Sequence, residues 1–181
     1  MRSRAPPYPR PVSQLLSFPN PVNEVAARTV AAGVLVLTVL TLVLSTTLGT
    51  GWLALTIPLA YGFVARVLSG PTLSPLGQLA TRVVAPRIGH AKYVAGPPKR
   101  FAQGIGAALS VSALLLHFGF AQDTAALVLI AMITVAATLE SVFAICVGCT
   151  IFAWLMRIGL VPEQTCEACA DIRLRYSTAA S

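Results

Sequence analysis

From Ala125 to Met156 the chain carries a single charged residue, Glu140. As one continuous helix, at 1.5 Å per residue, this run is about 48 Å long, while the hydrocarbon core of a bilayer is about 30 Å thick. A segment this apolar belongs in lipid, but it is too long to cross as one straight, upright span. Either it tilts and projects, or it breaks, and Gly148 is the place the sequence offers for a break.

Three more apolar runs precede it. With the last they predict helices over about 21–48, 52–68, 101–120 and 125–156. Asn20 followed by Pro21 reads as a helix start, and Pro58 as a kink in the second helix. The composition agrees, since 56% of the residues are hydrophobic and 10% are charged, where a soluble domain carries about 25% charged residues. The fold class expected is all-α: a polytopic four-helix transmembrane bundle in one domain, about 20–160. The preceding segment, 1–19, is proline- and arginine-rich without an apolar stretch, so it reads as disordered and not as a cleavable signal peptide. Residues 161–181 read as a polar tail. In the long connection between helices two and three, Ser74-Pro75 can cap a short helix over about 74–85. That helix would place Leu76, Leu79, Ala80, Val83 and Val84 on one face, as expected of a helix lying in the membrane interface. The rest of the connection, including His90 and Gly96-Pro-Pro-Lys-Arg100, reads as loop. In helix three, Gly104/Ala108 and Gly106/Ser110 have the small-xxx-small spacing that lets another helix approach.

The net charge of +7 does not argue for nucleic acid, because the basic residues flank apolar runs and are not interleaved with aromatics. All 13 Lys and Arg lie in the amino-terminal segment, the long connection, the tail or the adjoining helix ends. The two short turns, about 48–51 and 121–124, have none. The positive-inside rule then places both termini and the long connection in the cytoplasm, as in a multi-pass protein of a bacterial plasma membrane. A fifth crossing would strand Arg173 and Arg175 outside.

Chemistry concentrates at the end of the last run. Cys146 and Cys149 form one Cys-x-x-Cys pair at the expected inner membrane boundary, and Cys166 and Cys169 form another in the tail. In a reducing compartment such pairs rest as thiols. In a regular helix, residues three apart have Cβ atoms about 5–6 Å apart, more than a disulfide prefers. A helix starting at this point would relax that strain and aim free N–H groups at a thiolate. Cys146 is therefore the expected attacking thiol and Cys149 the resolving one, although buried cysteines also serve as small hydrophobes. No cofactor is expected. The spacing C-x2-C-x16-C-x2-C leaves a four-cysteine zinc site (Cys146, Cys149, Cys166, Cys169) as an alternative. Glu140 and Arg66 each lie 15 residues from the outer start of their helix. That matching depth predicts a buried ion pair, which either registers helices two and four or contributes to a site. On a straight helix Glu140 points away from both cysteines. His117 has no visible partner.

The motifs Asn20-Pro-Val-Asn23, Leu73-Ser-Pro-Leu76, Gly96-Pro-Pro-Lys-Arg-Phe-Ala-Gln-Gly-Ile-Gly106, Glu140-Ser-Val-Phe143 and Cys146-Val-Gly-Cys149 resemble the bacterial membrane family catalogued as domain of unknown function 4395. The resemblance covers roughly 20–160 and excludes Cys166 and Cys169. It implies an integral membrane protein, sometimes associated with thioredoxin-like or sulfurtransferase proteins, and it names no substrate. The reading that follows is a membrane thiol protein exchanging electrons or sulfur with a soluble thioredoxin-like or rhodanese-like partner. A transporter of a small sulfur-containing anion and a non-enzymatic, zinc-stabilised scaffold are the alternatives.

Overall fold

A computed structural model describes residues 22–88 and 93–160. The expected disordered segment, the Asn20-Pro21 helix start, His90 and the tail with Cys166 and Cys169 lie outside the described residues.

Four helices are long and apolar enough to cross a membrane: Glu24–Thr47, Thr50–Ser69, Gly96–Gly119 and Asp123–Phe143. The chain is thus an all-α multi-pass membrane protein. Helix α1 (Glu24–Thr47) begins where Asn23 accepts a hydrogen bond from the Val25 N–H at 2.9 Å, three residues later than the Asn20 cap would have given. Val22 and Asn23, just before it, pair antiparallel with Val94 and Tyr93, which ties the start of α1 to the approach to the third span. The second span opens as a 3-10 turn (Thr50–Leu55) and continues as α2 (Thr56–Ser69). Pro58 sits in the first turn of α2, where a missing N–H costs little. The change of helix type lies ahead of it, not at a mid-helix kink.

The long connection holds α3 (Pro75–Leu79), a π-turn (Ala80–Val84) and α4 (Ala85–Ile88). Ser74 caps this segment, accepting from the Gly77 N–H at 3.3 Å. Its inward face differs from the one the spacing predicts. Gly77 and Ala80 are buried while Leu79 is exposed; a Cβ at Gly77 would lie 2.8 Å from Pro71 Cα, and the contact with α1 is made by Leu76 against Gly33.

The third span is α5 (Gly96–Leu114) followed by a π-turn (Leu115–Gly119). It starts five residues before the expected 101. Pro97 and Pro98 occupy the first turn, where proline loses no intrahelical hydrogen bond. Gly96-Pro-Pro-Lys-Arg100 is therefore helix and not loop. The fourth span is α6 (Asp123–Phe143), and a separate helix α7 (Val147–Arg157) follows.

Within the bundle α1 packs on α6, α2 on α5, and α5 on both α6 and α7. Around a few large core residues such as Leu59, Phe63 and Ile130, much of the inside is small. Ala26, Thr38, Thr41, Ala60, Ser110, Ala126 and Ala137 are buried, while Val36, Val43, Ile57, Val128 and Val135 face outward. Lipid offers no hydrophobic drive between helices, so close van der Waals approach must hold them together, and small residues permit it. Gly106 shows this most directly, since a Cβ there would clash with the Phe63 ring of α2. Its partner in the small-xxx-small pair, Ser110, is fully buried, whereas Gly104 meets no neighbour within 4 Å. The buried hydroxyls of Thr38, Thr41 and Ser110 donate to carbonyls of their own helices, at 3.1, 2.8 and 2.7 Å.

Candidate functional site: a thiol pair at a helix break

The long apolar run does break, but ahead of Gly148. Helix α6 ends at Phe143, and Ala144 takes a left-handed conformation (φ 58°). The N–H groups of Ala144 and Ile145 both return to the Leu139 carbonyl. Two of the carbonyls freed at this end are met from α1, where Arg28 donates through Nη2 to Ser141 O at 3.0 Å and Val142 O at 3.4 Å. Cys146 is extended and caps the new helix, its sulfur accepting from the Cys149 N–H at 3.4 Å.

Gly148 lies in the first turn of α7 and serves a different purpose. A Cβ there would sit 2.5 Å from both Cα and Cβ of Ala102, so the missing side chain is what lets α7 lie directly on α5. The same contact continues through Phe152, whose ring centroid is 5.5 Å from that of Phe101. Docked this way, α7 holds the thiol pair against the first turns of α5.

Both thiols are free and half-buried, and their sulfurs are 2.6 Å apart, with the Cys149 thiol donating to Cys146. That hydrogen bond is the largest influence holding the Cys146 thiol below its ordinary pKa. The Lys99 ammonium and the Cys149 N–H act in the same direction, while burial and Glu140 oppose them. Cys149 is pushed the other way, first by its bond to Cys146, then by burial and by the neighbouring thiolate. The pair is thus polarised, with a nucleophile at the helix start and a protonated partner one turn on.

Glu140 has a different partner from the one its depth predicts. Its Oε1 lies 2.5 Å from Lys99 Nζ, and both side chains are largely buried. Arg66, 5% exposed, instead donates through Nε to Gln103 Oε1 at 2.8 Å and through Nη1 to Ser74 Oγ at 3.1 Å. Its guanidinium also lies over the Phe63 ring, 4.7 Å from the centroid. The early start of α5 accounts for the exchange. It places Lys99 in the first turn of a helix, and Gln103, four residues on, on the same face. Lys99 then takes Glu140, and Gln103 takes Arg66. Reading 96–100 as loop hides Lys99; the signal that could have found it is the pair of prolines at a helix start. The break, for its part, brings Glu140 within electrostatic reach of both sulfurs, which a straight helix would not.

Behind Cys146 is a cavity of about 100 Å³ between α1, α2, α5, α6 and α7, where Gln103, Glu140 and Cys146 are the polar residues in an otherwise apolar wall. Among the described residues no group of three or more His, Cys, Asp or Glu side chains could hold a metal ion. The four-cysteine zinc set includes Cys166 and Cys169, which are not described. His117 does have a partner: its Nδ1 is 2.6 Å from Asp123 Oδ1, a pair that joins the end of the third span to the start of the fourth.

The family described as Domain of unknown function (DUF4395) matches residues 22–157. The chain belongs to this family. The match contains Lys99, Gln103, Glu140, Cys146 and Cys149 and stops short of Cys166 and Cys169. No curated protein and no solved structure matches the chain.

Proposed function

We propose that this member of the family is a membrane thiol protein that exchanges electrons with a soluble thioredoxin-like partner through Cys146 and Cys149. The observation that carries the reading is the position of Cys146 as the cap of a helix that begins at the break, with Cys149 N–H and Sγ both directed at its sulfur. In the forward step the Cys146 thiolate attacks a disulfide sulfur of the partner. A mixed disulfide forms, and one partner sulfur leaves as thiolate. Cys149 then loses its proton and attacks Cys146 Sγ. The internal disulfide closes, and the partner departs with both sulfurs reduced, having gained two electrons and, once its thiolates protonate, two protons. Lys99 favours the thiolate at the start, and Glu140 is the nearby carboxylate able to take the Cys149 proton.

The same proposal orients the protein. The helix ends around the site carry Arg28, Arg66, Arg82, Arg87, Lys99, Arg100 and Arg157, whereas the turns at the opposite end, 48–49 and 120–122, carry no Lys or Arg. The positive-inside rule supports a cytoplasmic site and cytoplasmic termini in a bacterial plasma membrane. Differential alkylation of the purified protein, before and after a thiol oxidant and read by mass spectrometry, tests the reading. Cys146 and Cys149 should convert together between two thiols and one disulfide. A pair that stays reduced throughout refutes it.

A further inference from the structure

The two cysteines do not face the same surroundings. Cys146 lines the cavity; Cys149 does not. From the thiol the cavity runs inward along α6 as far as Ile133, ten residues before Phe143 and so about 15 Å into that span. Its wall there is made of Val34, Phe63, Leu109 and Ile133. Ile105, Leu109 and Ala136, half-buried, and Ile151, exposed, are also part of the wall. The cavity therefore reaches the outer surface of the bundle between α5, α6 and α7, at a level where that surface meets lipid. What reaches Cys146 by this route is soluble in the membrane.

The wall is not uniformly apolar. The Gln103 amide can accept only through its oxygen, so the bond from Arg66 Nε–H to Oε1 fixes which way that amide is turned. Among the described residues the Gln103 –NH2 is left without a partner, on a residue that lines the cavity. A free amide donor, a carboxylate ion-paired to Lys99, and a sulfur nucleophile therefore line one apolar space. Its volume of about 100 Å³ is of the same order as the ~150 Å³ that admits a single benzene ring.

We propose that this cavity receives the head ring of a membrane quinone, and that the dithiol passes its electrons to that ring. The inference rests on the thiol reading above and names a second, lipid-side substrate for the same pair. The exchange with the soluble partner runs in reverse here: the reduced partner first opens the Cys146–Cys149 disulfide, leaving two thiols, and departs oxidised. The Cys146 thiolate then adds to the quinone ring, forming a C–S bond, and one carbonyl oxygen becomes a phenolate, hydrogen-bonded by the Gln103 amide. Cys149, giving its proton to Glu140, attacks Cys146 Sγ. The S–S bond forms, the C–S bond breaks, and its electron pair stays on the ring. Two protons, one from each original thiol, complete the quinol. Two electrons leave the dithiol and two arrive on the ring, so the step needs no other oxidant.

The experiment uses the full-length reduced protein in nanodiscs with a short-tailed, fully substituted benzoquinone, which does not readily arylate surface thiols. Loss of quinone absorbance and the state of Cys146 and Cys149 are followed together. The expected result is one ring reduced per disulfide formed. Ala136→Phe, which fills the cavity, should slow quinone reduction at least about tenfold, and Gln103→Leu should raise the half-saturating quinone concentration about tenfold. Ala108→Phe, on the exposed outer face of α5, should leave the rate as it is. If diamide closes the disulfide but the quinone does not, the quinone inference falls and the thiol reading stands. If neither closes it, both fall. Equal quinone rates in the wild type and both cavity variants also overturn the inference. Should Ala136→Phe not fold, Gln103→Leu and the ring-to-disulfide stoichiometry of the wild type decide the matter alone.

Discussion

Gly148→Ala is the sharpest test of how the site is held. The new Cβ would lie 2.5 Å from Ala102 Cα and Cβ, where carbon atoms prefer about 3.5–4.0 Å. Neither contact is with the end of a flexible side chain. Relief therefore requires α7 as a whole to move off α5 by about 1 Å or more. Overpacking of this kind costs about 1–3 kcal/mol, and the contact that α7 would give up includes the Phe101–Phe152 ring pair. The four spans do not depend on that contact, so the bundle should remain and α7 should lift away. Cys146, as the cap of α7, would move with it, out of reach of Lys99. The expected result is a Cys146 alkylation rate at neutral pH that falls toward that of an ordinary thiol, with little change in helix content in detergent. Ala102→Gly should rescue only in part, because Ala102 Cα stays where it is. A Gly148→Ala protein with wild-type Cys146 reactivity and wild-type thermal stability would refute the account of α7 as a helix clamped at one glycine.

Four further outcomes follow from the same geometry. Lys99→Met leaves Glu140 without its cation among largely buried surroundings and should cost about 3 kcal/mol in a denaturation assay, while Lys99→Met combined with Glu140→Met should recover most of that loss; equal stability of the single and double variants would contradict it. Iodoacetamide should label Cys146 faster than Cys149 by at least about tenfold at pH 7, because the thiolate is the reacting form and Cys146 is the one held below the ordinary thiol pKa of about 8.5. The Cys146 labelling profile should extend below that pH and shift upward in Lys99→Met, since the lysine charge favours the thiolate; profiles that coincide would remove Lys99 from the site. Ala144→Gly should stabilise the protein by up to about 1 kcal/mol, as a left-handed alanine is strained by roughly that amount, and a destabilised variant would mean that the alanine side chain does something else.

The environment and the number of crossings could be read from the order of residues alone. Four apolar runs with few charges, separated by turns that either carry basic residues or lack them, permit little but a four-span bundle, because an unpaired backbone or charge in hydrocarbon is costly. The same order required the final run to change course, since a helix of that length does not fit the bilayer. The place of the change was not legible. Gly148 is the better helix breaker by propensity, but its missing side chain is used for contact with Ala102, and an alanine is turned left-handed instead. The partner of Glu140 was equally out of reach. Depth along the membrane normal allowed Arg66, and only the rotation of each helix about its axis could give Glu140 to Lys99 and Arg66 to Gln103. Composition and length are properties of single segments, and one sequence displays them. Rotation, docking and the meeting of Cys146 with a cavity depend on which small residues face each other across helices, and that is decided only when the helices pack.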